Sequence, residues 1–251
     1  MQVAQLNYGE LVFAVVPLRG DGSLLSPMIY GTAFCIGPGI FVTAGHVIDH
    51  ILEDGGKVGV GRIADSGGGV APALKVEVLS FDVGVILAHA AGPALMAWDT
   101  EPRSLLHDVA AVGFPFAVNA EGEGESRGFK VTMRGFKGHV QTRTKLWSKP
   151  GNPVGYEVST LFPKGMSGAP LLNDGRPVPE LQLVGMVLGN SEVTAFEETT
   201  RFGIALDVQE LARVNSPGIV GGTLGQLREK YAAHDDFKFT PSRPFLEWEH
   251  R

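Results

Sequence analysis

The chain has 251 residues, enough for one large domain or two small ones and for a sizeable core without disulfide staples. Hydrophobic residues make up 44% and charged residues 19%, with 34 glycines and 16 prolines, a globular balance that calls for many turns between short elements. A net charge of −6 and a pI near 5.6 leave no electrostatic footprint for nucleic acid or an anionic membrane, and the single cysteine, Cys35, excludes an internal disulfide and a cysteine-based zinc site.

Met1 to Glu10 lacks the basic start and continuous apolar stretch of a secretory signal, and no run approaches the ~18–20 apolar residues that span a bilayer, so a soluble, cytoplasmic chain is expected. Short β-rich segments then follow at Leu11–Val16, Thr32–Ile36, Ile40–Thr43, Val58–Val60, Val76–Leu79 and Val83–Ala88. Ala91–Arg103, with Gly92, Pro93 and Pro102 and no clear period, reads as a linker. More strands are expected at Val109–Val112, Phe129–Met133, Gly138–Thr142, Gly155–Thr160, Leu181–Leu188 and Arg201–Ala205, with a solvated acidic loop at Asn119–Ser126. This pattern predicts an all-β fold, and two six-stranded antiparallel barrels fit the count. The expected division is residues 1–100, residues 101–206, and a C-terminal part, 207–251, packed on the barrels. In that last part Asp207 is placed to cap a helix over Val208–Val214, and Thr223 and Gln226 have capping-box spacing before a helix to Ala233.

Three segments carry chemistry: Thr43-Ala-Gly-His46-Val, Phe81-Asp82-Val-Gly-Val-Ile-Leu and Pro163-Lys-Gly165-Met-Ser167-Gly168-Ala-Pro-Leu. Each sets one polar residue among apolar strand residues and glycine, and together they supply a base, an orienting carboxylate and a nucleophile. In their order, His then Asp then Ser, and in their settings, they closely resemble the chymotrypsin-like (trypsin-like) serine peptidases, in particular the disulfide-poor bacterial branch related to the Deg-type proteases. The resemblance runs from about Leu11 to Val214. It implies a chymotrypsin-like fold with His46 and Asp82 on the first barrel and Ser167 on the second. Asp49 competes with Asp82 for the orienting role, but a helical neighbour three residues from His46 is poorly placed to hold it.

The mechanism implied by the resemblance is that His46 takes the Ser167 proton, Asp82 holds the imidazole, and the backbone N–H groups of Gly165 and Ser167 meet the oxyanion before water resolves an acyl-enzyme. No metal or other cofactor is called for, and the expected partners are a protein or peptide substrate and a regulatory protein. Zymogen-type trypsins carry an aspartate immediately before the nucleophile, where this chain has Met166, so activation by a freshly cut N-terminal amine is not expected. Gly218-Ile-Val-Gly-Gly-Thr223 resembles such a cut terminus but reads as a coincidental loop. The residues after Val214 are too few for the PDZ domain that usually follows in Deg-type enzymes.

Carried over from the family, the specificity pocket has Leu161 at its base, with Thr160 or Phe162 there if the register slips by one, and a wall of Leu188, Gly189 and Asn190. An apolar base disfavours cleavage after Lys or Arg and favours small or medium uncharged residues. Between Arg127 and Lys149 stand seven basic residues and no acidic one, which reads as a solvated face or as a surface for an acidic partner. The tail His234–Arg251 carries five large apolar residues, too many for a solvating tail, and is expected to pack. Two rival readings share these residues: a protease-fold module that binds without turnover, and an esterase using the same triad.

Overall fold

The apolar runs of the sequence close into two barrels. The computed structural model describes residues 11–26, 28–64, 67–89, 97–115, 117–119, 129–174, 182–195, 198–232 and 246–247. In the first barrel β1 (Val12–Leu18), β2 (Gly31–Gly37) and β3 (Ile40–Ala44) are buried along their whole length, because both faces are covered. The helix α1 (Gly45–Glu53), β4 (Lys57–Ala64), β5 (Gly67–Leu79) and β6 (Val83–Ala88) complete it. All pairs are antiparallel, in the order β5-β4-β1-β2-β3-β6, and β5 pairs with β6 to shut the barrel. Closure removes exposed strand edges.

The second barrel uses β7 (Asp108–Gly113), β8 (Arg134–Lys145), β9 (Val154–Val158), β10 (Pro170–Asn173), β11 (Gln182–Ala195) and β12 (Glu198–Asp207). Its order is β10-β7-β8-β9-β12-β11, closed by β10 on β11. The fold is therefore chymotrypsin-like, all-β with two six-stranded barrels and short C-terminal helices. Phe129–Val131 is not one of the barrel strands, since it pairs with Ala117–Asn119 in a separate ribbon. The strand missing from the expectation is β10, which opens on Pro170; at the first position of a strand a proline's missing N–H is tolerated, so the residue hid a strand without preventing one.

The C-terminal helices are capped as their sequences require. The Asp207 carboxylate accepts the Gln209 N–H at 2.8 Å at the start of α2 (Val208–Arg213). Thr223 and Gln226 exchange side-chain and backbone bonds at 2.9 and 3.2 Å before α3 (Leu224–Ala232). α3 returns to the first barrel, where Gly37 leaves room for the Tyr231 ring, whose nearest atom stands 3.0 Å from where a Cβ would be. Leu246–Glu247 pairs with Gly69 and Val70 on β5; the rest of the tail, residues 91–96 of the expected linker and residues 120–126 of the acidic loop lie outside the described residues. Among the described residues no helix is long and apolar enough to cross a membrane.

Candidate active site

The first barrel alone builds a histidine–carboxylate pair. β3 runs directly into α1, and His46 is the second residue of that helix. The preceding Ala44 offers no side-chain cap, so the helix N-terminus must find an acceptor elsewhere. It finds Asp82, whose Oδ1 accepts the His46 N–H at 2.8 Å. The same carboxylate faces the ring: His46 Nδ1 lies 2.8 Å from Oδ2 and 3.1 Å from Oδ1. One side chain thus caps the helix and orients the imidazole. It is turned to do so by two successive left-handed residues, Phe81 (φ 63°) and Asp82 (φ 61°), a conformation costing roughly 1–2 kcal/mol per residue that the surrounding packing must offset.

A third group reaches Asp82 that the sequence did not disclose. Lys149, in the turn between β8 and β9, donates to Oδ2 at 2.8 Å and approaches the Leu188 carbonyl at 3.5 Å. Burial alone would push the Asp82 carboxyl up; hydrogen bonds from His46 and Lys149 and their charge outweigh it and hold the group down at about 2.

Ser167 comes from the loop between β9 and β10 and is tied to the first barrel through its backbone. Its carbonyl accepts the Thr32 N–H at 2.8 Å, while Thr32 Oγ1 donates to Gly165 O at 2.7 Å and accepts the Phe114 N–H at 3.0 Å. Thr43 Oγ1 donates to Thr32 O at 2.8 Å, so β3, β2 and the Ser167 loop form one buried chain of bonds. At Gly168 the second barrel comes close against the first. This glycine, at φ +84°, lies so near β2 and β3 that a Cβ would stand 2.1 Å from Thr32 O, 2.4 Å from Thr43 Oγ1 and 2.8 Å from Ala44 N. Ser167 and His46 are thereby held on adjoining backbone segments. No hydrogen bond joins Ser167 Oγ to His46 among the described residues.

Around Ser167 the loop's N–H groups divide into two sets. Met166 N–H donates to Pro163 O at 3.1 Å and Gly168 N–H to Val187 O at 2.8 Å. The N–H groups of Gly165 (φ +92°) and Ser167 meet no acceptor among the described residues. Met166 itself is fully buried in the second barrel.

Residues 31–186, more than half of the chain, match the trypsin-like peptidase domain family. The chain belongs to that family. Among solved structures it is similar to the Rv3671c protease from M. tuberculosis in its active form, at 21% identity and a TM-score of 0.56, covering 86% of this chain and 82% of that one. The inactive form of the same protease matches at 21% identity and 0.53, covering 81% and 86%. Deg5 matches at 16% identity and 0.56, covering 86% and 91%. These likenesses show a shared fold. A comparison with curated proteins finds no match.

Leu161, the expected pocket base, is 46% exposed, and its neighbour Phe162 is buried. The Phe162 ring lies against β12, where a Cβ on Gly203 would stand 2.4 Å from it. Asn190 fixes this arrangement by accepting the Phe162 N–H and donating to Phe162 O, both at 2.8 Å. Leu188 is buried at the register shift in the β11–β12 ladder, and Gly189 (φ +125°) follows it with open space where a Cβ would project. Strand irregularities of this kind re-aim the backbone beside binding sites.

Three of the seven basic residues between Arg127 and Lys149 are ion-paired within the chain. Arg143 Nε binds Asp207 at 2.7 Å, Lys137 binds Asp174 at 2.8 Å, and Lys149 binds Asp82. Cys35 is buried and its thiol is pushed up to about 12, so it is not a competing nucleophile. No cluster of three or more metal-ligating side chains occurs among the described residues.

Proposed function

We propose that this trypsin-like peptidase domain is a serine endopeptidase in which His46, Asp82 and Ser167 act as one triad on protein or peptide substrates. Ser167 is a poor nucleophile at its free pKa, so His46 Nε2 must take its proton as Oγ attacks the scissile carbonyl. Asp82 holds Nδ1 and stabilises the imidazolium that forms. The N–H groups of Gly165 and Ser167 face the developing oxyanion, a donor pair in which each member is typically worth about 3–4 kcal/mol of barrier. His46 then protonates the leaving amine, and water repeats the sequence on the acyl-enzyme. In this reading residues 1–100 and 101–206 are the two halves of one catalytic unit, and 207–251 packs on them.

The observation that carries the reading is the combination of a carboxylate-bound His46 with a Ser167 loop in which the Gly165 and Ser167 N–H groups meet no acceptor among the described residues. The site at Phe162, Leu188, Gly189 and Asn190 offers no counter-charge. Burying an unpaired Lys or Arg there costs several kcal/mol, which favours small or medium uncharged side chains on the acyl side of the cut.

Hydrolysis of a quenched-fluorescence peptide library tests this. The wild type is expected to cleave, Ser167→Ala and His46→Ala to lose at least ~10⁴-fold in kcat/KM, and the thermal midpoint to move little. Cleavage of activated esters without peptides would make the chain an esterase, and binding without turnover would make it a recognition module. A preference for Arg or Lys would overturn the pocket.

A further inference from the structure

The strongest unassigned feature is the ammonium group of one barrel seated on the carboxylate of the other. Lys149 does not reach Asp82 by chance of a floppy side chain, because its turn is fixed on both sides: Lys149 N–H donates to Leu146 O at 3.0 Å, and Lys149 O accepts the Asn152 N–H at 3.1 Å. Leu146 N–H in turn bonds Pro153 O at 2.8 Å and the Leu146 side chain is buried, which anchors the turn in the second barrel. The turn also packs on the residue before Asp82, since a Cβ on Gly151 would stand 3.0 Å from the Phe81 ring. Both partners are well covered, with side-chain exposures of 17% for Lys149 and 10% for Asp82, so solvent screens the pair weakly.

We propose that Lys149 is a positioning residue for the His46–Asp82 pair, holding the carboxylate in place from the second barrel and offsetting its charge so that His46 gives up its proton at a lower pH. The proposal rests on the reading of Asp82 as the orienting carboxylate.

The sign follows from the geometry. Nδ1 and the ammonium nitrogen each lie 2.8 Å from the same oxygen, Oδ2. A carboxylate facing the ring favours the imidazolium, and a cation on the same oxygen opposes that preference. Among the charged and titratable groups beside the pair are Lys149 from the β8–β9 turn and His50 on α1, whose ring centroid is 5.8 Å from that of His46. β5 presents Val78 there and β11 the Leu188 carbonyl, neither of which titrates. Lys149 thus supplies the counter-charge, and it broadens the range over which His46 is free to act as a base toward acid.

The test follows the His46 ring by NMR in the full chain, ¹⁵N-labelled at histidine and carrying Ser167→Ala against self-cleavage, with Lys149 intact, Lys149→Met or Lys149→Arg. Lys149→Met is expected to raise the titration midpoint of His46 by about one pH unit, and Lys149→Arg to restore it, because the charge and not the ammonium shape is what counts. In Ser167-intact chains the acid limb of kcat/KM should move with it. An unmoved or lowered midpoint in Lys149→Met overturns the proposal. Failure of the peptidase reading shows differently, as absent turnover in every Ser167-intact chain, and the NMR midpoints still decide the role of Lys149.

Discussion

The two barrels share a strand count and differ in what they contribute. The first is apolar throughout its leading strands and contains, within residues 40–88, a complete histidine–carboxylate pair whose carboxylate also caps α1. The second presents strand β8 with only Val140 fully buried and an outward row of basic residues, and it contributes loops: the Ser167 loop, the Lys149 turn and the Asn190-pinned Phe162 segment. The first barrel therefore fixes His46 in space, and the second brings Ser167 and the Lys149 ammonium to it. The lesson is that the site's rigidity depends on the joint between them, where Thr32 and Gly168 sit, as much as on either barrel.

Breaking the joint gives the largest expected effect. Gly168→Ala puts a methyl group into backbone atoms of β2 and β3 at a positive φ, and neither can give way. It is expected to destabilise by about 4 kcal/mol or more and to yield little folded protein by circular dichroism and solubility. Thr32→Val keeps the shape of the side chain but leaves the buried Gly165 carbonyl and Phe114 N–H without partners. A loss of about 2–4 kcal/mol in urea unfolding is expected, with kcat/KM falling more than KM rises because the nucleophile loop loses its register. If Thr32→Val is as stable and active as wild type, the two barrels are not clamped there.

The first barrel's pair is probed by pH. Asp82 stands at about 2 when folded against 3.8 for the free side chain, so its ionised form contributes about 2 kcal/mol of stability that is present above pH ~4 and lost as pH falls through about 2. Asp82→Asn is therefore expected to be less stable than wild type at pH 7, with the gap closing on acidification. A gap independent of pH would mean that Asp82 stabilises by packing alone.

Much of the first barrel was legible because its runs are short, apolar and bounded by glycine: Val83–Ala88 reads directly as β6. The caps at Asp207 and Thr223 were legible because capping is local. β5 extends from Gly67, well before the visible Val76–Leu79, since Gly67 to Gly69 and Pro72 carry no strand signal and only pairing with β4 extends them. His46, Asp82 and Ser167 stood out by their settings. Thr32 and Lys149 did not, because their partners lie 133 and 67 residues away and neither sits in a motif. A long apolar-flanked basic run with no acids was the one sign that Lys149 needed a distant carboxylate, and it could not say which. Leu161 and Phe162 are adjacent apolar residues, and which of them turns inward is decided by Asn190 from another strand.

The most direct test of the account is reaction with a fluorophosphonate, read by intact mass and peptide mapping. Only a serine activated by the first barrel's pair, beside free N–H donors, reacts rapidly at neutral pH. The account predicts one adduct per chain, on Ser167, lost in Ser167→Ala and slowed at least ~10³-fold in His46→Ala. An unmodified wild-type chain, or an adduct on another residue that persists in Ser167→Ala, would contradict it.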